Sequence, residues 1–445
     1  MMNLSLTKGP VMQSMLLFAV PMILGNLLQQ CYNIADTLIV GKFLGAGALA
    51  AVGSSFTLMT FLTSILLGLC MGSGAVFSIR YGRQDEDGLK EGILASFVLI
   101  AGITILLNIL AFLSLNHIRV LLQVPNEVWG LMREYLIVIF SGITATFLYN
   151  YFASFLRAIG NSVVPLVFLA VCALLNIVLD LFFVLALKRG VSGAAEATVI
   201  SQYISGIGIA VYSLFRCSQF CGVLRNCRIR WECLKEIANF SVMTCIQQSV
   251  MNLGILMVQG LVNSFGAEIM AAFAAAVKID AFAYMPVQDF GNAFSTFIAQ
   301  NYGAGNTKRI QKGLKGAVLV SFLFCIIISS AIWIFARPLM ELFVNKNETR
   351  IIMEGIRYLH IEGAFYWGIG CLFLLYGLYR AIAVPAMSVV LTIISLGTRV
   401  LLAYLLSSVP SIGVAGIWWA IPIGWILADT VGVLYYRKLA WSTLT

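Results

Sequence analysis

The sequence predicts an all-α polytopic membrane protein with twelve transmembrane helices in two six-helix lobes. The first observation is composition: the 445 residues are 60% hydrophobic and only 11% charged, whereas soluble proteins carry about 25% charged residues. The second is a series of twelve apolar segments, and the third is a resemblance between the two halves of the chain. No single water-soluble core could bury this much apolar surface, so the membrane class follows.

The twelve apolar segments are each long enough to cross a hydrocarbon core of about 30 Å. They cover residues 14–40, 48–79, 92–114, 131–155, 163–187, 193–215, 237–262, 268–299, 314–336, 352–379, 385–406 and 412–436. The first segment contains Pro21 and is followed by no small-residue cleavage pattern. We therefore expect a retained first span rather than a signal peptide.

The basic residues predict the orientation. With the N-terminus in the cytoplasm, inner segments hold 17 of the 28 Lys and Arg residues, outer segments hold 9, and Lys278 and Arg399 fall within spans. This asymmetry is the positive-inside pattern. We expect a multi-pass protein of the cell membrane with cytoplasmic N- and C-termini. The net charge of +9 then reflects orientation and does not indicate a nucleic-acid partner.

The two halves of the chain repeat one plan. At an offset of 221, "LGAGALAAVGSS" (44–55) aligns with "FGAEIMAAFAAA" (265–276), and at an offset of 223 "LRAI" (156–159) aligns with "YRAI" (379–382). With six helices per half, both copies enter the membrane in the same direction, and parallel repeats of this kind place substrate sites between the halves. The sequence therefore predicts a transporter. Its divisions are an N-lobe (1–215), a cytoplasmic linker (216–236) and a C-lobe (237–445).

Motifs for metal binding and catalysis are weak. The stretches "GAGALAAVG" and "GSGA" follow no strand, so close helix packing explains them better than a phosphate loop. His117 and His360 lack the spacing of a catalytic zinc site. The cysteines near the linker lack CxxC pairs: Cys217, Cys221, Cys227 and Cys233. We expect no enzyme activity, no cofactor and no resident metal.

Polar residues inside the spans of the first lobe predict a cation site. Asp36 lies on the first span, Asn176 and Asp180 lie on the fifth, and Thr198 lies near the start of the sixth. Asn176 and Asp180 share a helix face because they are four residues apart. A carboxylate in the bilayer is costly and usually marks a function. Two carboxylates with amide and hydroxyl oxygens can hold a hard cation or share a proton. The alternative is that each Asp caps a helix or meets headgroup water.

The second lobe lacks this set, because Met257 and Ala403 stand where the repeat would place Asp36 and Asp180. It has buried polar groups of its own, for which structural pairing is as good an explanation as substrate contact. Those that could line a substrate cavity, together with one deep tryptophan, are Gln247, Gln248, Lys278, Asp280, Trp367 and Arg399. Lys278 could pair with Asp280 or with an acid on another helix.

Five motifs spread along the chain carry a resemblance to a known family: "FAVPMILGNLLQQCYNIADTLIVGKFLGAGALAAVG", "LRAIGN", "LLNIVLD", "GAAEAT" and "QNYGAGNTKR". With them, the chain as a whole resembles the multidrug and toxic compound extrusion (MATE) family. The resemblance implies a V-shaped twelve-helix fold and a cation site formed by Asp36, Asn176, Asp180 and Thr198, with the fourth-span Asn150 as the only Asn available there. It also implies that the first helix bends near Pro21. One departure is that some sodium-coupled relatives place an acid on the seventh span, where this chain has Gln247 and Gln248.

The resulting hypothesis is a secondary active antiporter that exports amphipathic, often cationic compounds in exchange for H⁺ or Na⁺ by alternating access. Its partners would be small molecules and the lipid bilayer, and we expect a monomer. Two close acids in a low-dielectric setting favour H⁺ slightly, as does the absence of an acid from the seventh span. The alternative is a lipid-linked oligosaccharide flippase of the wider superfamily. That function calls for more basic residues in the spans than Lys278 and Arg399.

Overall fold

The computed structural model is almost entirely helical. It describes residues 5–121, 124, 126–221 and 229–442. The helices of these residues, in chain order, are α1 (Val11–Leu44), α2 (Ala46–Gly82), α3 (Glu86–Leu113), α4 (Leu115–Leu121), α5 (Asn126–Ser141), α6 (Ile143–Ala158), α7 (Val163–Leu181), α8 (Gly190–Arg216), α9 (Ser218–Cys221), α10 (Trp231–Asn263), α11 (Ala267–Gly303), α12 (Thr307–Glu341), α13 (Thr349–Gly363), α14 (Tyr366–Ala381), α15 (Pro385–Ser407) and α16 (Ala415–Ser442). A π-helical segment, Phe182–Ala186, continues α7.

The described helices account for the twelve predicted spans. Ten are long and apolar enough to cross a membrane alone, and two bent pairs supply the fourth and tenth spans. The pair α5 and α6 is bent by 43°, and the pair α13 and α14 is bent by 51°. The predicted all-α fold is therefore confirmed, with two spans broken where the sequence analysis drew them as continuous.

Several helices extend beyond the predicted apolar cores. Helix α12 begins at Thr307 rather than residue 314 and ends at Glu341 rather than 336. Hydropathy detects only the part of a helix that lies in hydrocarbon, whereas its ends continue into the polar interface. The same reason accounts for the two short helices α4 and α9, which the apolar pattern did not predict.

The internal repeat is visible in the geometry. Helices α2 and α11 each have 37 residues, and both of their ends are related by the offset of 221. Each helix is preceded by a glycine at positive φ, Gly45 at 87° and Gly266 at 99°, a conformation that glycine adopts without steric cost. The bend after Gly142 and the bend at Phe365 are likewise 223 residues apart.

The chain forms two compact units. The first contains Val20–Cys245, and the second contains Leu6–Ala19 and residues 246–442. The division assigns the first turns of α1 and the last turns of α10 to the second unit. The first unit has a core of packed aromatic rings around Phe77, Tyr151 and Phe155. In the core of the second unit, Phe273 stacks on Trp418 at 5.4 Å between ring centroids.

Glycines allow the helices of each unit to approach closely. A Cβ atom on Gly72, within the "GSGA" stretch, would lie 2.4 Å from the carbonyl oxygen of Phe240 on α10. A Cβ atom on Gly424 of α16 would lie 2.4 Å from the carbonyl oxygen of Ser395 on α15. Both distances are too short for any side chain, so these positions require glycine. Close packing therefore explains the "GSGA" stretch, as small residues do in membrane helices generally.

Candidate functional site

The candidate site of the first unit is built on α7, whose buried face carries two polar residues. Asp180 is fully buried and Asn176 is 1% exposed. They are one turn apart, so helix periodicity places both side chains on the face that packs against α8. Asp180 lies inside a continuous run of helix, because the π-helical segment follows at Phe182. A capping role at a helix end does not describe this position.

Asp36 of α1 faces Asp180. The two carboxyl groups lie within hydrogen-bonding range of each other. Both oxygens of Asp180, together with Oδ1 of Asp36, are buried and accept no hydrogen bond from the residues that the structure describes. Two facing carboxylates in a low-dielectric site repel each other, so the pair is stable only if it shares a proton or binds a cation.

Amide and hydroxyl groups complete the site. The Asn176 side-chain amide donates to the Thr198 hydroxyl at 3.2 Å, and that hydroxyl donates to the Ala194 carbonyl at 3.1 Å. The Oδ1 atom of Asn176 is buried without a partner among the described residues. The site thus presents four unsatisfied oxygens, one from Asn176 and three from the acids. This donor set suits a proton or a small hard cation.

Two features of the site were not singled out in the sequence. Tyr135 of α5 is 7% exposed and interacts electrostatically with both Asp36 and Asp180. Tyr32, one turn before Asp36, interacts with that acid as well. The second feature is the π-helical segment directly after Asp180, a type of local distortion that often marks functional sites. A tyrosine in a span does not by itself indicate a functional site. Tyr135, in the stretch "EYL", becomes informative only once the packing of the helices shows that it lies near two acids.

Asn150 and Pro21 lie apart from this hydrogen-bond set. Asn150 is half-buried, and its side-chain amide donates to the Thr146 carbonyl one turn earlier in α6, at 2.8 Å. Pro21 lies inside α1, where its missing N–H and its ring weaken the helix. The division between the two compact units falls between Ala19 and Val20, next to this proline.

The second unit holds a separate buried cluster around Asp280 of α11. The Tyr366 hydroxyl donates to Asp280 Oδ1 at 2.7 Å, and the Tyr358 hydroxyl lies 3.5 Å from Oδ2. Glu362 is 1% exposed and interacts with Asp280, as does Arg399. Asp280 is therefore held by hydrogen bonds from two tyrosines, beside a second acid and an arginine, which fits the structural pairing considered for this lobe.

The remaining residues considered for a substrate cavity do not join that cluster. Lys278 is exposed, with its ammonium 6.0 Å from the Phe343 ring centroid, and no ion pair to Asp280 is formed. Gln247 and Gln248 are buried on α10. Trp367 is 40% exposed on α14 and lines a different cavity, with Asp429.

Comparison with known proteins decides the family. The sequence model described as MatE matches residues 21–182 and 240–405. The chain belongs to the MatE family. The two matched segments contain Asp36, Asn176 and Asp180 of the first unit and the Asp280 cluster of the second, whereas Thr198 lies between the two segments.

Relatives of this MatE protein match it along most of its length. The probable multidrug resistance protein YpnP of Bacillus subtilis is 30% identical, over 98% of this chain and 97% of the relative. The probable multidrug resistance protein NorM of Thermotoga maritima is 24% identical, over 97% and 93%. The multidrug export protein MepA of Staphylococcus aureus is 25% identical, over 82% and 81%.

Solved structures confirm the fold. A transporter of the MOP superfamily from Pyrococcus furiosus superimposes with a TM-score of 0.93 at 24% identity, over 100% of this chain and 99% of that one. An outward-facing multidrug resistance MATE transporter superimposes with a TM-score of 0.91 at 24% identity, over 99% and 98%. The fold of this MatE protein is therefore that of MATE transporters.

Proposed function

We propose that this protein is a secondary active antiporter that exports amphipathic, often cationic compounds in exchange for H⁺ or Na⁺. The observation that carries the proposal is the facing pair Asp36 and Asp180, whose buried oxygens lack partners among the described residues. The names of the relatives, which describe multidrug resistance and multidrug export, support the direction and the type of cargo. The protein would work as a monomer in the cell membrane.

Ion binding drives the cycle by neutralising the pair. A proton shared between Asp36 and Asp180, or a Na⁺ held by them with Asn176 and Thr198, removes the repulsion between the acids. The neutral pair lets α1 repack about Pro21 and lowers affinity for an organic cation. The coupling ion can shift the two states only by its differential affinity for them. We favour H⁺, because carboxyl groups within hydrogen-bonding range suit a shared proton and α10 lacks an acid on its apolar part.

Uptake into inside-out membrane vesicles, which corresponds to export from the cell, tests the proposal under one imposed gradient at a time. Ethidium uptake should follow an imposed pH gradient, and both Asp36→Asn and Asp180→Asn should abolish it while the protein still accumulates in the membrane. Asn keeps the shape and polarity of Asp but carries no negative charge, so it cannot bind and release a coupling cation. Matched controls are Met257→Leu and Ala403→Ser, at the corresponding positions of the second unit, and these should transport normally. Transport at the normal rate by either Asn variant would make that acid structural. Uptake driven by a Na⁺ gradient alone would assign the coupling to Na⁺.

A further inference from the structure

One cavity is lined entirely by residues of the second unit, whereas Asp36 and Asp180 belong to the first unit. Its volume is about 440 Å³, within the range of small-molecule sites. Helices α12, α14 and α16 form its walls and floor. The residues that matter here are Phe322, Trp367, Cys371, Leu374, Asp429 and Leu434. All three helices belong to candidate membrane spans.

The cavity contains one acid, Asp429 of α16. Asp429 is 7% exposed, and neither of its carboxylate oxygens accepts a hydrogen bond from the part of the chain that the structure describes. The Cys371 thiol faces the same carboxyl group but lies outside hydrogen-bond geometry. The carboxylate lies above Gly368, where an added Cβ would be 3.8 Å from Oδ2.

Asp429 forms no ion pair with any residue that the structure describes. Arg437 also lines the cavity, but it is exposed and lies eight residues further along α16, about 12 Å along the helix axis. A buried polar group without a partner is costly in a low-dielectric setting. A ligand that brings a positive charge to Asp429 removes that cost, and the carboxylate in turn stabilises the bound ligand. An anion is repelled, and one carboxylate with a thiol is a poor ligand set for a hard divalent metal ion.

The rest of the cavity matches the apolar body of such a ligand. Trp367 is 40% exposed and Phe322 is 47% exposed, and both line the same cavity as the acid. Aromatic faces attract organic cations through their quadrupoles. Leu434 extends this apolar wall and is 58% exposed. A buried carboxylate in a cavity lined by exposed aromatic rings is complementary to a lipophilic monovalent cation.

We propose that this cavity, defined by Asp429, Trp367 and Phe322, is a binding site for lipophilic monovalent cations. It is separate from the Asp36–Asp180 pair, so binding here does not depend on ion coupling. That the cavity binds exported compounds during transport rests on the proposed function. Binding and export are measured by different experiments and can fail separately.

Equilibrium binding of radiolabelled tetraphenylphosphonium to the full-length protein in lipid nanodiscs tests the proposal, with empty nanodiscs as the background. Asp429→Asn should weaken binding at least about ten-fold, because truncating one partner of a buried charge pair costs several kcal/mol. Trp367→Leu should weaken it about three-fold, the size of a cation–π contact. Triphenylphosphine oxide, an uncharged analogue, should compete poorly with tetraphenylphosphonium for the wild-type protein. For Asp429→Asn the charged and uncharged ligands should compete equally well.

Two controls make the result decisive. Asp87→Asn makes the same chemical change at an exposed residue of α3 and should leave binding unchanged. The double variant Asp36→Asn/Asp180→Asn should retain the site that depends on Asp429. Binding that survives Asp429→Asn and Trp367→Leu, or that disappears only with the Asp36/Asp180 double variant, overturns the proposal. If Asp429→Asn fails to fold, Trp367→Leu alone decides between these outcomes.

Discussion

Arg80 of α2 joins the start of α3 to the start of α10, and replacing it with lysine should destabilise the protein. Its Nη1 donates to the Gly88 carbonyl at 2.5 Å and to Cys233 Sγ at 3.2 Å, and its Nη2 donates to Glu236 Oε2 at 2.5 Å. Arg80 is 8% exposed. A guanidinium serves these separate acceptors with two nitrogens, whereas lysine offers a single ammonium nitrogen.

The magnitude follows from which acceptor the ammonium keeps. Losing the buried bond to Gly88 costs about 1.5–3 kcal/mol, the range for hydrogen bonds to charged groups. Losing the bond to Glu236 costs less than about 1 kcal/mol, because the Glu236 side chain is 44% exposed. We therefore expect Arg80→Lys to lower the free energy of unfolding by about 1–3 kcal/mol. At about 2–4 °C per kcal/mol for a unit of this size, the apparent melting temperature falls by about 2–12 °C.

Melting of the purified protein in detergent, followed by tryptophan fluorescence at one fixed scan rate, measures this shift. The matched control is Arg83→Lys, the same substitution three residues later at an exposed position that forms no ion pair within the described residues. Arg83→Lys should melt with the wild type. Equal melting temperatures for Arg80→Lys and Arg83→Lys would refute the assignment of Arg80 as an anchor.

Two further predictions concern topology and packing. In a cysteine-free background, a cysteine at Thr307 should react with an impermeant maleimide only from the cytoplasm, and one at Asn347 only from outside; labelling of position 307 in intact cells would reverse the predicted orientation. Gly72→Ala should cost about 1–3 kcal/mol in detergent melting, since its Cβ would lie 2.4 Å from the Phe240 carbonyl oxygen. Gly102→Ala, with open space around it, should cost nothing, and equal losses at both glycines would show that helix approach is not the reason for Gly72.

The spans and the repeat could be predicted from sequence because both are one-dimensional patterns. Hydropathy locates the part of each helix that crosses hydrocarbon, and the 221-residue offset aligns α2 with α11 at both ends. The bends near Gly142 and Phe365 could not be predicted, because they depend on the helices that pack there. A Cβ on Gly142 would lie 2.9 Å from Val199 Cγ2, for example, a contact between α5–α6 and α8.

The candidate sites could likewise be predicted only in part, where they depend on spacing in the sequence rather than on helix packing. Asn176 and Asp180 share a helix face by their spacing alone, so the sequence predicts their partnership. That Asp36 faces Asp180, and that Tyr135 joins them, depends on how α1, α5 and α7 pack. Asp429 was missed because a single acid in the last span gives no indication of its burial, and only the structure places it beside Trp367.

The central claim is that the Asp36–Asp180 pair exchanges a coupling ion for an organic cation. Ethidium binding to purified protein, titrated over a series of pH values and then of Na⁺ concentrations with K⁺ as the salt control, tests this most directly. We expect affinity to weaken as the pH falls, because protonation removes the negative charge that attracts the cation. Asp180→Asn should flatten this dependence, whereas Asp429→Asn should retain it. Affinity that falls with Na⁺ but ignores pH would transfer the coupling to Na⁺. Affinity that ignores both ions, or a pH dependence unchanged in Asp180→Asn, would contradict the account.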